Sequence, residues 1–273
     1  TINVGRIDFV NSDPVYYGIE NGLVETDVNL INGFPTALNS MLANGDIDIA
    51  PISSIEYARS EDYRILPNLS VSSKAEVGSI FLFSKLPFEE LDGAKVAVSS
   101  TSATSVALLK ILAELEYGVS LEYVTMDPEI DEMLSDADAA LVIGDHALLA
   151  ERDNDDPSLH IYDLGREWRD FSGERMVYAV WGVRKEAPTE DVQEAARALE
   201  ESKRLGYENL DVIADKLADR MDIHQGYALR YLKMLDHDFT PEHERGLMKY
   251  YESAKRIGAI DSVPELRTVE INE

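Results

Sequence analysis

Short apolar runs alternate with helix-patterned segments along this chain, and no other sequence feature restricts its fold more. A β–α–β–α–β rhythm runs once through residues 1 to about 85 and again through about 94 to 165. Strands that alternate with helices build largely parallel sheets, because a parallel neighbour needs a crossover long enough to hold a helix. Two copies of the rhythm imply two α/β lobes, and 273 residues suffice for two small domains. No sequence repeat at a fixed period accompanies them.

In the first copy, strands are expected at 2–10, 28–31, 47–50, 65–72 and 79–84, with helices at 16–21, 35–43 and 55–59. In the second, strands are expected at 94–99, 121–126 and 139–143, with helices at 106–115, 130–135 and from 147. A long hydrophobic strand follows at 176–184; helices such as 190–204 and 243–257 fill the rest, with no strand until the tail. The strands at 79–84 and 176–184 flank the second copy and read as crossings between lobes. The expected division is therefore 1–86 with 186–273 in one lobe and 87–185 in the other. A ligand cleft is expected between lobes, outside the carboxyl ends of the strands.

Charge removes whole classes of partner. With 25 basic and 52 acidic residues the formal charge is −27, a surface that repels nucleic acid and anionic membranes. This acidity reads either as a solvated surface suited to a salty cytoplasm or as an acidic interaction surface. Carboxylates spread through helices and loops favour the first, which predicts loss of structure as salt is withdrawn. The absence of cysteine excludes disulfides, Fe–S clusters, thiolate metal sites and cysteine nucleophiles. No apolar run has the length of a membrane span, and the opening TINVGRIDFVNSDPVYYG lacks the parts of a secretion signal. A cytoplasmic protein is expected, of open oligomeric state.

The strongest local signal is Ser99-Ser100-Thr101-Ser102-Ala103-Thr104-Ser105, six hydroxyls in seven residues between a strand and an apolar helix. Hydroxyls beside helix N-terminal amides suit a carboxylate or phosphate, whereas a cap alone needs one hydroxyl. The run lacks the Gly and Lys of a P-loop. Other strand ends carry Asn11, Ser53-Ser54, Gly78-Ser79 and Gly144-Asp145; each fits either a capping turn or a ligand contact. Five histidines show no metal-ligand spacing, so no metal is expected, and His237 and His243 read as exposed. Trp181 and the pair Tyr16-Tyr17 could line a cleft but read rather as core. No GxSxG or GxGxxG occurs. These features fit a two-lobed protein with an anion-binding cleft, a binder as readily as an enzyme.

Six ordered blocks, GRIDFVNSDPVYYG, NGDIDIAPISSIEYAR, VGSIFLFSK, SATSVALLKIL, ADAALVIGDHAL and YAVWGVRK, closely resemble chorismate dehydratase of the futalosine route to menaquinone. They run from residue 5 to about 185, and the helical tail agrees in pattern only. The resemblance implies a type 2 periplasmic-binding-protein-like fold used as a cytoplasmic, cofactor-independent hydro-lyase. It implies loss of water from chorismate, with the substrate's own enolpyruvyl carboxylate as the family's proposed base. Asn11 would orient or protonate the leaving hydroxyl, and Ser79 would hold a carboxylate. Ser102, Ala103, Thr104 and Ser105 would bind a carboxylate at a helix N-terminus, Ser53 and Ser54 would bind from the opposite lobe, and Gly144 and Asp145 would shape the pocket. The chain departs from the family at Val10 and at Asp13, which adds negative charge near an anion site. The alternatives are the sister enzyme that makes 1,4-dihydroxy-6-naphthoate, which relies on a catalytic histidine, and a solute-binding protein for an aromatic carboxylate.

Overall fold

A computed structural model describes residues 1–99 and 103–271. In chain order the elements are β1 (Asn3–Ile7), α1 (Asp13–Glu20), β2 (Asn29–Gly33), α2 (Pro35–Asn44), β3 (Ile49–Ser53), α3 (Ser54–Arg59), β4 (Tyr63–Ser73), β5 (Ile80–Ser84), β6 (Lys95–Val98), α4 (Ala103–Ile111), β7 (Glu122–Thr125), α5 (Ile130–Asp136), β8 (Ala139–Ile143), α6 (Gly144–Asp153), β9 (His160–Asp163), α7 (Leu164–Ser172), β10 (Met176–Arg184), α8 (Thr189–Glu208), α9 (Leu210–Met221), α10 (Gln225–Met234), β11 (Leu235–Asp236) and α11 (Pro241–Arg256).

These elements form two compact units. The first holds Thr1–Ser72, Val177–Pro241 and Pro264–Glu273; the second holds Ser73–Met176 and Glu242–Val263. Every boundary differs from the division expected at 86 and 185. Hydrogen bonding explains the shifts. β5 pairs with β8 and β9, so it belongs to the second unit, and β10 pairs with β3, so all but its first residue belongs to the first. The helix α11, expected with the first lobe, groups with the second. Its Tyr250 ring packs edge-on against Trp168, and its hydroxyl donates to the Thr104 carbonyl at 3.1 Å.

The first unit is built on a six-stranded sheet of order β11-β4-β10-β3-β1-β2. β1 runs parallel to β2 and β3, whereas β10 is antiparallel to β3. An apolar run fixes burial but not direction, so periodicity alone did not reveal this reversal. Val4, Ile49, Leu66, Trp181 and Leu199 form its core. Trp181 and Tyr16 are fully buried as expected, whereas Tyr17 is only half-buried; the indole N–H donates to the Tyr16 hydroxyl at 3.1 Å, which donates to the Gly5 carbonyl at 3.0 Å. That contact satisfies both polar tips inside the core.

Helix α1 begins at Asp13 with Pro14 in its first turn, as the turn signal implies, and packs lengthwise on α8. The approach is possible because Gly206 has no side chain. A Cβ there would stand 2.0 Å from the Pro14 carbonyl oxygen, a backbone atom that cannot rotate away. Gly206→Ala is therefore expected to push α1 off α8 and cost about 1–3 kcal/mol, read as a lower urea midpoint. An unchanged midpoint would show that this pair of helices has slack.

The second unit is a five-stranded sheet of order β7-β6-β8-β5-β9. β6 is parallel to β7 and β8, and β5 runs antiparallel to both of its neighbours. Every residue of β5 is buried, as befits a strand covered on both faces. The apolar helix expected over 106–115 is observed as α4 followed by a π-helical turn at Leu112–Tyr117, ending at Gly118. β9, α7 and the two-residue β11 were not foreseen in the sequence.

Candidate active site

The first unit presents Asn11 and Ser53. The strand expected over 2–10 stops at Ile7, and Asn11 sits beyond Asp8 and Phe9 in a single 3-10 turn, Val10–Ser12; Ser53 is the last residue of the parallel neighbour β3. Both therefore lie at carboxyl ends of adjacent strands. The Asn11 Oδ1 and the Ser53 Oγ are buried and have no hydrogen-bond partner among the described residues. Buried polar atoms are nearly always paired, so two unpaired ones at the carboxyl ends of neighbouring strands mark a candidate ligand contact. Ser53 occupies the position before α3 yet its hydroxyl caps nothing. Ser54 differs: its hydroxyl is fully buried and donates to the Val177 carbonyl at 2.7 Å, tying α3 to β10. The substrate-binding role expected of Ser54 thus has a structural competitor that Ser53 lacks.

The second unit gathers Ser79, Ala103, Thr104, Ser105, Gly144 and Asp145 at one end of its sheet. β6 and β8 are parallel, so α4 and α6 both begin at their carboxyl ends. β5 is antiparallel to β8, which brings Ser79 alongside: Ile80 pairs with Ile143, and Gly144 N–H donates to the Ser79 carbonyl at 2.7 Å. Gly144 takes a positive φ of 62°, which allows the chain to turn straight from β8 into α6. Ser79, Thr104 and Ser105 are each 3% exposed. Two helices, α4 and α6, begin at this one sheet end, so the positive ends of two dipoles lie there. Ser102 lies outside the described residues.

A third helix in this unit, α7, already has a carboxylate on its N-terminus. Asp163 accepts from Gly165 N–H at 2.9 Å and Arg166 N–H at 3.1 Å. The same carboxylate accepts from Val77 N–H and, at 2.8 Å, from Gly78 N–H, fixing the turn that leads into Ser79. Burial raises its pKa, against the pull of these four amides.

The histidines need correction. His237 and His243, expected on the surface, are 1% and 2% exposed. His237 lies in the first unit beside the Asn11 turn: its Nε2 is 2.6 Å from the Asn11 carbonyl oxygen and its Nδ1 is 2.8 Å from the Tyr207 hydroxyl. Polar neighbours suggest exposure from sequence, but β4 covers this segment. The charge of Asp13 is also not free: Arg6, held inside with a side chain 9% exposed, pairs with it at 2.8 Å and with Glu20 at 2.8 Å. Among the described residues no group of three His, Asp or Glu could hold a metal ion, and no helix is long and apolar enough to cross a membrane.

A model of the menaquinone biosynthesis family matches residues 2–256 of the chain. The chorismate dehydratase of Thermus thermophilus is 30% identical over 238 residues, covering 82% of this chain and 86% of that one. The chain belongs to the chorismate dehydratase family of menaquinone biosynthesis. The chorismate dehydratase of Campylobacter jejuni is 31% identical over 64% of each chain. Among solved structures, a protein of Archaeoglobus fulgidus superposes with a TM-score of 0.76 at 22% identity, over 95% of this chain and 98% of that one. The aliphatic sulphonate binding protein of Escherichia coli gives 0.71 at 14% identity, over 100% and 92%. This member of the chorismate dehydratase family thus has the two-lobed α/β fold of periplasmic binding proteins. Of the residues around its candidate site, Arg6, Asp163 and His237 were missed in the sequence. Asp163 had a legible signal, a capping residue ahead of Leu164 and Trp168 at helical spacing; His237 had none.

Proposed function

We propose that the protein eliminates water from chorismate to give 3-[(1-carboxyvinyl)oxy]benzoate. The observation that carries this reading is the family kinship across most of the chain. The geometry of both units agrees with what the chemistry requires. The proton lost sits on the ring carbon bearing the enolpyruvyl ether. Its electron pair delocalises through a ring double bond into the ring carboxylate. Departure of the neighbouring hydroxyl, which takes up a proton to leave as water, makes the ring aromatic. The step is an elimination with no change of redox state overall, and in this proposal no cofactor takes part. The protein must hold two carboxylates, keep bulk water out and stabilise the charge that builds on the ring.

In this reading Asn11 and Ser53 supply the polar contacts of the first unit, with the Asn11 carboxamide on the leaving hydroxyl. Ser79 and the N-terminal turns of α4 (Ala103, Thr104, Ser105, and Ser102 before them) and α6 (Gly144, Asp145) supply the carboxylate contacts of the second. The substrate's enolpyruvyl carboxylate serves as the base, which suits a site of amides and hydroxyls. Chorismate is a dianion that does not cross membranes unaided, so the proposal places the enzyme in the cytoplasm. Incubation with chorismate at low and molar salt, followed by mass spectrometry, tests it. The expected product is lighter by one water and keeps the enolpyruvyl group. Chorismate bound but returned unchanged at every salt concentration would make the protein a binder and end this reading.

A further inference from the structure

We propose that His237 is the positioning residue for Asn11, holding the Asn11 turn through its backbone carbonyl so that the carboxamide meets the leaving hydroxyl. The inference rests on the assignment of Asn11 to that hydroxyl. A carbonyl oxygen can only accept, so at 2.6 Å the His237 Nε2 carries the proton and donates. In the neutral ring Nδ1 is then the acceptor, and the Tyr207 hydroxyl, 2.8 Å away, donates to it. The result is a chain of two directed hydrogen bonds, Tyr207 to His237 to Asn11, spanning 226 residues of sequence at its second link.

The ring can act as a strut because its own backbone is fixed. Ser70 N–H donates to the His237 carbonyl at 3.1 Å. The Ser70 hydroxyl donates to the Asp238 carbonyl at 2.5 Å, and the Ser72 hydroxyl donates to the Asp236 carbonyl at 2.8 Å. Lys203, from α8, donates to the Asp238 carboxylate at 2.6 Å and to the Asn68 carbonyl at 2.7 Å. Strand β4 and helix α8 therefore clamp residues 236–238 on both sides of the histidine. The Asn11 turn is a single 3-10 turn with no N-cap side chain, closed on its own side by the Ser12 hydroxyl, which donates to the Phe9 carbonyl at 3.1 Å; the His237 ring holds it from the other. Burial holds the His237 pKa down to about 4, so the ring stays neutral at physiological pH and keeps the tautomer that the two bonds require.

Steady-state kinetics on chorismate for wild type, H237F, H237Q, N11A and the N11A/H237F double variant test the proposal. Phenylalanine keeps the ring volume and removes both nitrogens; glutamine restores a donor near the Nε2 place. H237F is expected to lower kcat about 10- to 100-fold with KM held within about threefold, and H237Q to recover to within about fivefold of wild type. The double variant is expected to be no slower than N11A alone, because the strut has nothing left to position. Wild-type kcat in H237F, or losses that multiply in the double variant, would overturn the proposal. Nitrogen-15 NMR of the imidazole tests the geometry without substrate: protonated Nε2 and bare Nδ1 support it, and the opposite tautomer overturns it. If wild type leaves chorismate untouched, or N11A turns over normally, the reading of Asn11 fails and takes this proposal with it. An active wild type, a crippled N11A and an indifferent H237F would sink this proposal alone.

Discussion

Replacing Asn11 with alanine is expected to reduce kcat for chorismate dehydration by about 10²- to 10³-fold, the size of loss seen when one preorganised donor to a reacting oxygen is removed. The fold should be indifferent. The Asn11 Oδ1 has no partner among the described residues, so truncation breaks no hydrogen bond to that oxygen, and the link to His237 uses the backbone carbonyl, which alanine keeps. The melting temperature is expected to stay put while turnover collapses. Asn11→Asp sharpens the comparison. It preserves shape, replaces a donor with an acceptor and adds a negative charge opposite a dianion, so it should be at least as slow as alanine. Turnover of N11A within about threefold of wild type would remove Asn11 from the reaction.

Asp163→Ala is expected to have the largest effect on stability, about 2–4 kcal/mol, because one carboxylate serves four backbone amides. The estimate lies below the sum of four charged hydrogen bonds, since desolvation of the buried carboxylate offsets part of it. Two losses coincide: α7 loses its N-cap, and the Val77–Gly78 amides lose the acceptor that holds the turn before Ser79. Chemical denaturation should show a lower midpoint at unchanged slope. Asp163→Asn keeps one acceptor oxygen without the charge and should fall between alanine and wild type. A midpoint for D163A equal to wild type would mean that water replaces the carboxylate at no cost.

The strand-to-helix turns that carry the candidate site were legible in the sequence because each has a local grammar. A polar residue or a glycine after an apolar strand, followed by Pro or a helix-patterned run, marks Asn11, Ser53 and Gly144 after β1, β3 and β8. What escaped has no local grammar. Strand direction in β5 and β10 depends on partners far along the chain. His237 sits among Asp236 and Asp238, which reads as surface, and only the clamp by Ser70, Ser72 and Lys203 buries it. Arg6 lies in a mostly apolar strand that shows nothing of its partners, and its role emerged only with Asp13 and Glu20 folded against it. Ser53 and Ser54 are adjacent and chemically identical, but Ser53 closes β3 and Ser54 opens α3; across that boundary one hydroxyl reaches the Val177 carbonyl and the other is left unpaired.

Neither unit is a contiguous stretch of chain, and this orders events on the ribosome. The first unit needs residues 264–271: Val269 N–H donates to the Ile65 carbonyl, Ile65 N–H to the Arg267 carbonyl, and the Tyr57 hydroxyl to the Glu265 carbonyl. The second needs α11, whose Tyr250 closes over Trp168. Translation must therefore pass residue 256 before the second unit, and residue 269 before the first, can complete its contacts. Until then the nascent chain carries the edge of β4 and the Trp168 surface uncovered, the kind of surface that chaperones hold. A stop codon near residue 240 would leave both units open at once, and such a fragment should be found in the insoluble fraction or degraded rather than as one folded lobe.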